Sequence, residues 1–238
     1  MLLTKWLELL VALLISMVLV ILLNWLDKQS TLVSQFVSED PLVWEKDILL
    51  LEQKEKSGAG SVLFLGSSSI VRWESLPIDI APLKSINLGF GGAKINDVVH
   101  YANRLLRAAN PSAIVIFVGT NDITPAATKD PEWIFDKYRT LVSIVRARFF
   151  EIPVYYIAIT PSILRWEVWP IAKQTNQLIE KFSSEDPLLH FIDTSPYLLD
   201  VDGIPNEDNY VSDGLHLSGR GYAIWADQIG SILKEHLL

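Results

Sequence analysis

The sequence predicts an α/β domain with a five-stranded parallel sheet between two layers of helices, preceded by a membrane-spanning helix. Two observations predict the domain: short, continuously apolar segments bounded by glycine, and amphipathic helical segments that alternate with them. Strands that are buried on both faces of a sheet are apolar throughout, and alternation with helices is typical of parallel connections. The membrane helix is predicted from one long apolar stretch, residues 6–26.

Five segments fit the strands of this sheet: residues 61–66, 85–90, 113–119, 153–160 and 190–193. Apolar residues at helical spacing follow the second and third of these segments, and a last amphipathic helix closes the chain. Together they predict a three-layer α/β/α domain over residues 61–238. In such sheets the functional groups collect in the loops beyond the carboxyl ends of the strands.

The composition limits the classes of function that the chain can have. Its 238 residues carry a formal net charge of −8 without a cluster of lysine and arginine, so no nucleic-acid partner is expected. The absence of cysteine excludes disulfides, thiolate nucleophiles and cysteine-based zinc sites. The histidines are scattered without the spacing of a metal motif, and no phosphate-binding glycine motif is present. No metal or organic cofactor is therefore expected.

Residues 1–28 are interpreted as a membrane anchor and residues 29–60 as a stalk. The apolar stretch 6–26 has Glu8 as its one formal charge, and as a helix it would measure about 31 Å, close to the roughly 30 Å hydrocarbon core of a bilayer. A cleaved signal peptide and a buried core helix are the alternatives. The stretch is long and no small-residue cleavage site follows it, which argues against a signal peptide. Lys5 before the stretch favours an extracytoplasmic domain.

Four of the predicted strands lead into loops that are rich in polar residues or glycine. Their motifs are GSSS at 66–69, GFGG at 89–92, GTND at 119–122 and DGLH at 213–216. Taken singly, each has a structural explanation, because serine and asparagine cap helices and glycine adopts positive φ in turns. Taken together, they supply the groups that acyl transfer needs.

Each chemical role in acyl transfer has a candidate. A serine at a strand-to-helix turn presents its hydroxyl at the edge of the sheet, next to helix N–H groups. His216 fits a general base towards that serine, and Asp213 fits the partner of the other ring nitrogen. The Asn121 carboxamide and a backbone N–H of the Gly-Gly turn fit the donors of an oxyanion hole.

In these motifs and their order, the chain resembles the SGNH hydrolases, also called GDSL-type esterases and lipases. LGSSSI has Ser68 in the register of the family's nucleophile, and NLGFGG has Gly92 at its oxyanion glycine. GTND matches the oxyanion asparagine with Asn121, and DGLH matches the family's closing D-x-x-H with Asp213 and His216. The resemblance implies a flavodoxin-like sheet with the strand order 2-1-3-4-5.

One departure from the family pattern lies directly before the nucleophile. The family usually has aspartate in its G-D-S motif, where this chain has Ser67. The missing carboxylate alters the hydrogen bonding expected in the turn, and it leaves Ser67 and Ser69 as rival hydroxyls. Ser68 is preferred, because a shift of one residue in either direction points the side chain elsewhere. We expect Ser67 in this position to affect the rate of the reaction more than the type of reaction.

The sequence therefore predicts a membrane-anchored serine esterase that works through a Ser-His-Asp triad and an acyl-enzyme. The resemblance implies substrates with small acyl groups on glycans or lipids. An O-acyltransferase with the same triad is the alternative, and a weakly catalytic, tethered binding module is another. Trp73, Arg165 and Trp166 follow strand ends and are candidates to line the substrate cleft; tryptophan is as often packed beneath a loop.

Overall fold

The computed structural model describes residues 14–26, 38–55, 59–107 and 110–238, which fall into two compact units divided after Val43. In the first unit, residues 14–26 are helical and their apolar side chains are exposed. The first part of the predicted membrane helix, residues 6–13, lies outside the described residues. Across the described part of the chain, no helix has both the length and the apolar character that crossing a bilayer requires.

The second unit, Trp44–Leu238, contains one five-stranded parallel sheet. The strands of the unit are β1 (Val62–Gly66), β2 (Ser85–Gly89), β3 (Ala113–Phe117), β4 (Ile123–Thr124), β5 (Ala127–Thr128), β6 (Val154–Ile157) and β7 (Leu189–Ile192). The sheet has the order β2-β1-β3-β6-β7, while β4 and β5 pair with each other as a short antiparallel hairpin. Counted by its own strands, the sheet has the order 2-1-3-4-5 that the resemblance implied, and the predicted parallel α/β fold is confirmed.

The apolar runs of the sequence become the buried centre of this sheet. Every residue of β1, β3 and β6 is buried, whereas the outer strands β2 and β7 are partly exposed. Because alternate side chains of a strand point to opposite faces, a strand covered by helices on both sides has no polar positions to alternate with. This is why the sequence pattern identified each strand end within three residues.

Helices cover both faces of the sheet. They are α1 (Glu45–Glu55), α2 (Ser68–Val71), α3 (Leu76–Asp79), α4 (Ile95–Leu105), α5 (Pro131–Arg148), α6 (Trp169–Ser183), α7 (Ser195–Leu198) and α8 (Gly219–Leu237). Short 3-10 helices lie at Pro41–Trp44, Thr120–Asp122, Trp166–Val168 and Glu207–Asn209. The helices α1, α4, α5 and α6 pack in sequence along one face, and α8 packs with α3 and α7 on the other.

The helix α6 was not predicted from the sequence. Its buried side includes the polar residues Thr175 and Asn176, which interrupt the apolar spacing. The carboxamide of Asn176 accepts the N–H of Ile159 and donates to the Ile159 carbonyl, both at 2.9 Å. Asn176 therefore satisfies the backbone groups of Ile159 beyond the end of β6, where no neighbouring strand among the described residues pairs with them. A sequence pattern does not reveal such a contact.

The globular domain begins earlier than the predicted boundary at residue 61. Helix α1 packs against α4, and the side chains that it and the preceding turn bury are Trp44, Ile48 and Leu51. Arg104 of α4 forms ion pairs with Glu45 and Glu52, each at 2.8 Å. The sequence pattern places residues 44–55 in the stalk, and the structure corrects this assignment, because the side chains of Trp44, Ile48 and Leu51 are part of the domain core.

Candidate active site

Ser68 is the first residue of α2 and lies immediately beyond the carboxyl end of β1. Gly66 ends the strand with a φ of 153°, and a Cβ atom there would clash with the carbonyl oxygen of Phe117 in β3. Glycine therefore lets the chain turn tightly against the neighbouring strand. This turn places the Ser68 hydroxyl at the sheet edge, where its Oγ lies 2.8 Å from Nε2 of His216.

His216 and Asp213 form one compact unit in the loop before α8. The Nδ1 atom of His216 lies 2.6 Å from Oδ2 of Asp213, and Oδ1 of Asp213 accepts the backbone N–H groups of Leu215 and His216, both at 2.9 Å. Gly214, with a φ of 63°, allows the turn to fold back on itself. The three-residue spacing of D-x-x-H thus brings carboxylate and imidazole together within a single turn.

The environment of Asp213 keeps its carboxyl group ionised. Partial burial alone would raise its pKa, but the hydrogen bonds from the His216 side chain and from the two backbone N–H groups outweigh burial and lower the pKa to about 2. An ionised acceptor at Oδ2 favours the imidazole tautomer that carries its proton on Nδ1. The Nε2 lone pair is then directed at the Ser68 hydroxyl.

Asn121 lies in the 3-10 turn Thr120–Asp122 that follows β3. Its Nδ2 donates to the carbonyl of Ala93 at 3.1 Å, and Oδ2 of the adjacent Asp122 accepts the N–H of Ile95 at 2.9 Å. Two hydrogen bonds therefore join the loop after β3 to the loop after β2. These are the two loops in which the sequence placed the oxyanion donors.

Gly92 lies in the loop after β2 with a φ of 84°, a conformation that favours glycine. The same loop is joined to the end of β1, because the N–H of Phe90 donates to the Gly66 carbonyl at 3.0 Å. The N–H of Ser68, as the first residue of a helix, has no acceptor within that helix. The structure thus brings the loops of Ser68, Gly92 and Asn121 together at one edge of the sheet.

The two rival serines occupy different surroundings. Ser67 is fully buried, and among the described residues its hydroxyl has no hydrogen-bond partner. Ser69 is also buried, and its carbonyl accepts the Tyr222 hydroxyl at 2.8 Å. Of the three hydroxyls, it is that of Ser68 which lies at hydrogen-bond distance from His216.

The three residues predicted to line the substrate cleft, Trp73, Arg165 and Trp166, have different surroundings in the structure. Trp73 is 1% exposed, its ring packs edge-on against Trp225 at 5.4 Å, and its Nε1 donates to Asp79 at 2.6 Å. The prediction that Trp73 lines the cleft is therefore wrong, because the ring fills the core beneath α8. Trp166 is half-buried and lines a surface cavity of about 450 Å³ together with Ile163 and other residues.

Arg165 directs its guanidinium into the loop of Asn121. Its Nη2 donates to Oδ1 of Asn121 at 3.0 Å, and its Nη1 donates to Oγ1 of Thr120 at 3.0 Å and to the Thr120 carbonyl. The sequence placed Arg165 beyond a strand end but did not indicate this contact, since its partners follow a different strand. Among the described residues, no cluster of three or more histidine, aspartate or glutamate side chains is placed to hold a metal ion.

Comparison with known proteins identifies the family. Residues 58–224 match the GDSL-like Lipase/Acylhydrolase family. The human platelet-activating factor acetylhydrolase IB subunit alpha1 is 28% identical over 189 residues, which cover 74% of this chain and 76% of the relative. A similar fold occurs in a Streptococcus pneumonia protein provisionally named a platelet activating factor, with a TM-score of 0.71, 19% identity and coverage of 94% of this chain and 99% of the other.

A GDSL-like lipase from Bacteroides thetaiotaomicron also shares the fold, with a TM-score of 0.65, 17% identity and coverage of 83% of this chain and 98% of the other. At these identities the solved structures support the fold alone. The family match spans more than half of the chain and includes the loops of Ser68, Gly92, Asn121 and His216. The chain therefore belongs to the GDSL-like lipase/acylhydrolase family and is an ester hydrolase of the SGNH type.

Proposed function

We propose that Ser68 is the nucleophile of this hydrolase, that His216 is its general base and that Asp213 orients the imidazole. The observation that carries this assignment is the continuous contact from Ser68 Oγ to His216 Nε2 at 2.8 Å and from His216 Nδ1 to Asp213 Oδ2 at 2.6 Å. The ionised carboxylate holds the proton on Nδ1 and stabilises the imidazolium that forms during the reaction. The serine proton passes to His216 Nε2 and no further, because Asp213 stays ionised.

The reaction proceeds in two halves. In the first, Ser68 Oγ forms a bond to the ester carbonyl carbon while its proton passes to His216 Nε2. The tetrahedral intermediate then breaks the bond to the alcohol, which leaves with the proton from Nε2. In the second half, water gives a proton to Nε2 and attacks the acyl-enzyme, and the acid departs as the proton returns to Ser68.

The oxyanion of the tetrahedral intermediate is held by the backbone N–H groups of Ser68 and Gly92 and by Nδ2 of Asn121. The hydrogen bonds that join the loops after β2 and β3 support this assignment, because they hold Gly92 and Asn121 in fixed relation before substrate arrives. Donors that need no rearrangement stabilise developing charge most effectively.

The proposed substrates are esters of small acyl groups on glycans or lipids. The family supplies the ester class, and the human relative's name, an acetylhydrolase, supports a short acyl group. The chemistry of the triad does not require water as the acceptor in the second half-reaction. A sugar or lipid hydroxyl in that position would convert the same site to acyl transfer, and the experiment below distinguishes the two.

We further propose that the N-terminal segment anchors the hydrolase to a membrane, with the catalytic domain on the extracytoplasmic side. The apolar composition of residues 6–26 supports the anchor, as do the exposed apolar side chains along the helix at residues 14–26. Exposed apolar surface on this scale favours contact with lipid or another apolar partner. Lys5 supports the orientation.

The test of the mechanism uses the full chain, purified in detergent. A fluorophosphonate should label the enzyme covalently, and peptide mapping should place the label on Ser68. The Ser68→Ala variant should lower the rate of p-nitrophenyl acetate hydrolysis at least about 10²-fold. Ser67→Ala and Ser69→Ala are matched controls that should keep most of the activity.

The outcome of the same assay decides between the alternatives. Activity that survives Ser68→Ala but is lost in either neighbouring variant would reassign the nucleophile. A wild-type chain that neither reacts with fluorophosphonate nor hydrolyses the ester would contradict the proposal and favour a binding module. If an added sugar or lipid acceptor yields an acylated product in place of free acid, the enzyme is a transferase.

A further inference from the structure

Within the described part of the chain, the side-chain hydrogen bonds of Arg165 go to the loop that carries Asn121. It lies directly before the 3-10 turn Trp166–Val168 in the loop after β6, and its planar guanidinium contacts Asn121 with one nitrogen and Thr120 with another. A planar guanidinium holds its N–H groups in fixed directions, so its contacts with two neighbouring residues fix their positions together. Arg165 thus braces the loop that carries Asn121.

These contacts assign the orientation of the Asn121 carboxamide. Its Oδ1 accepts from Nη2 of Arg165 at 3.0 Å, while its Nδ2 donates to the carbonyl of Ala93 at 3.1 Å. A flipped carboxamide would place its N–H groups against the guanidinium and its oxygen against that carbonyl, so both contacts would become repulsive. In the observed orientation, Nδ2 has a second hydrogen that Ala93 does not use and that is available to an oxyanion.

Arg165 also contributes charge. Burial lowers the pKa of its guanidinium to about 10, a shift that the negative charge of Asp122 opposes, so the group remains protonated at neutral pH. Arg165 forms no ion pair with the carboxylate of another described residue. Its positive charge is directed at the carbonyl oxygen of Asn121, which withdraws electron density from the amide and strengthens its N–H groups as donors.

The segment that holds Arg165 is fixed from the opposite side by the loop of the catalytic base. The N–H of Leu164 donates to the carbonyl of Gly214 at 2.9 Å, and a Cβ atom on Gly214 would lie 3.2 Å from Ile163. Gly214 belongs to the turn between Asp213 and His216. The residues around Arg165 therefore connect the loop of the oxyanion donor to the loop of the general base.

We propose that Arg165 is a positioning residue of the oxyanion hole, which holds the Asn121 carboxamide in its donor orientation and polarises it. This inference rests on the proposed role of Asn121 and replaces the expectation that Arg165 contacts substrate in the cleft. Because Arg165 acts through Asn121, its loss should slow the chemical step and should leave substrate binding nearly unchanged.

The test is a double-mutant cycle in the full chain with p-nitrophenyl acetate as substrate. Arg165→Met removes the charge and the donors while it keeps an unbranched apolar stem, and it should lower kcat about 10- to 10²-fold with KM within about threefold, the scale of one hydrogen bond to a charged group. Asn121→Ala should lower kcat about 10²- to 10³-fold. The double variant should be no slower than Asn121→Ala alone, because the route through which Arg165 acts is then already absent.

Two further variants test whether the effect on kcat is specific to the guanidinium of Arg165. Arg165→Lys keeps a positive charge without the fork geometry, and it should recover part of the kcat lost in Arg165→Met. Arg139→Met is the matched control, since Arg139 lies on the exposed side of α5 and pairs with Asp136. Thermal unfolding of each variant shows whether rates are compared between folded proteins, and if Arg165→Met unfolds, the cycle is run with Arg165→Lys.

If the factors by which the two single variants lower kcat multiply in the double variant, the inference is wrong. A rise in KM with unchanged kcat in Arg165→Met would also overturn it, because that result would indicate that Arg165 contacts substrate. Failure of this inference remains distinguishable from failure of the proposed mechanism. If wild-type turnover does not depend on Ser68, the mechanism fails; if turnover depends on Ser68 and the Arg165 and Asn121 losses multiply, the inference alone fails.

Discussion

The carboxylate of Asp213 binds His216 twice, through Oδ2 to the ring Nδ1 at 2.6 Å and through Oδ1 to the backbone N–H at 2.9 Å. One side chain therefore fixes both the position of the imidazole and the turn that presents it. The exposed fraction of the two side chains differs: 41% for Asp213 and 13% for His216. The Asp213 carboxylate remains in contact with solvent, while the His216 imidazole is sheltered beside the Ser68 hydroxyl.

We expect Asp213→Asn to lower kcat for p-nitrophenyl acetate by about 10²- to 10⁴-fold. A carboxamide can turn its N–H group towards Nδ1, which would place the ring proton on Nε2, where it cannot accept the serine proton. The upper limit applies to a buried carboxylate, and the exposure of Asp213 favours the lower part of the range. Steady-state kinetics measures the change; a loss below threefold would show that Asp213 does not set the tautomer.

The same variant should change how stability depends on pH. The folded-state pKa of Asp213, about 2, is below its ordinary value of 3.8, so the unfolded chain takes up the proton first as pH falls. The stabilisation is therefore fully present above about pH 5 and is lost as pH falls towards 2. The difference in Tm between wild type and Asp213→Asn should shrink over that window.

Thermal scans from pH 6 to pH 2 test this dependence, with Asp136→Asn as a control at an exposed carboxylate on α5. A Tm difference that stays constant over the whole range would contradict the assigned hydrogen bonds of Asp213. A difference that grows as pH falls would reverse the sign of the linkage. Both outcomes are read from the same set of scans.

Ser67→Ala should leave stability unchanged or raise it, although the site is fully buried. The Ser67 hydroxyl has no partner among the described residues, so its removal ends an uncompensated desolvation cost on the order of 1 kcal/mol. Urea unfolding measures the change in free energy. A loss of more than about 1 kcal/mol would contradict the unpaired state of the hydroxyl.

Gly66→Ala should destabilise the domain strongly. The added Cβ would clash with the Phe117 carbonyl oxygen between β1 and β3, and the positive φ would add strain, for a total of about 2–5 kcal/mol. Gly219→Ala is the matched control, because a Cβ atom at the start of α8 would meet no other described part of the fold within 4 Å. Equal unfolding free energies for the two variants would contradict the tight turn.

The proposed anchor predicts that the full chain stays in the membrane pellet after an alkaline carbonate wash. Lysines at two positions of the apolar helix, Val18→Lys with Leu22→Lys, should release it, since each costs about 2.5–3.5 kcal/mol at the centre of a bilayer. Isoleucine at the same positions is the control. Release of the wild type by carbonate would contradict the anchor.

The orientation has a test of its own. Protease added to sealed spheroplasts should digest the catalytic domain if it lies on the extracytoplasmic side. Full protection, with digestion after the membrane is opened, would reverse the proposed orientation.

Local patterns in the sequence predicted those elements whose structure depends on local chemistry. The buried strands β1, β3 and β6 are apolar at every position, and the glycine of each strand-end motif accompanies a turn, so both were visible without coordinates. The sequence pattern misses helix α6 because its Asn176 is buried to form hydrogen bonds with Ile159, which precedes it by 17 residues and lies outside the helix. The stalk assignment of residues 44–55 failed for a similar reason, since the partner helix α4 begins some forty residues later.

By itself, the sequence determined the parallel α/β class, the carboxyl edge of the sheet as the place of function and the four motifs at that edge, because strand periodicity and turn chemistry act over a few residues. The tertiary structure decided which side chains meet. It placed Ser68 rather than Ser67 or Ser69 against His216, moved Trp73 from the cleft to the core and joined Arg165 to Asn121. Such contacts depend on how loops from different strands converge in space, and side-chain contacts of that kind leave no periodic signal in the chain.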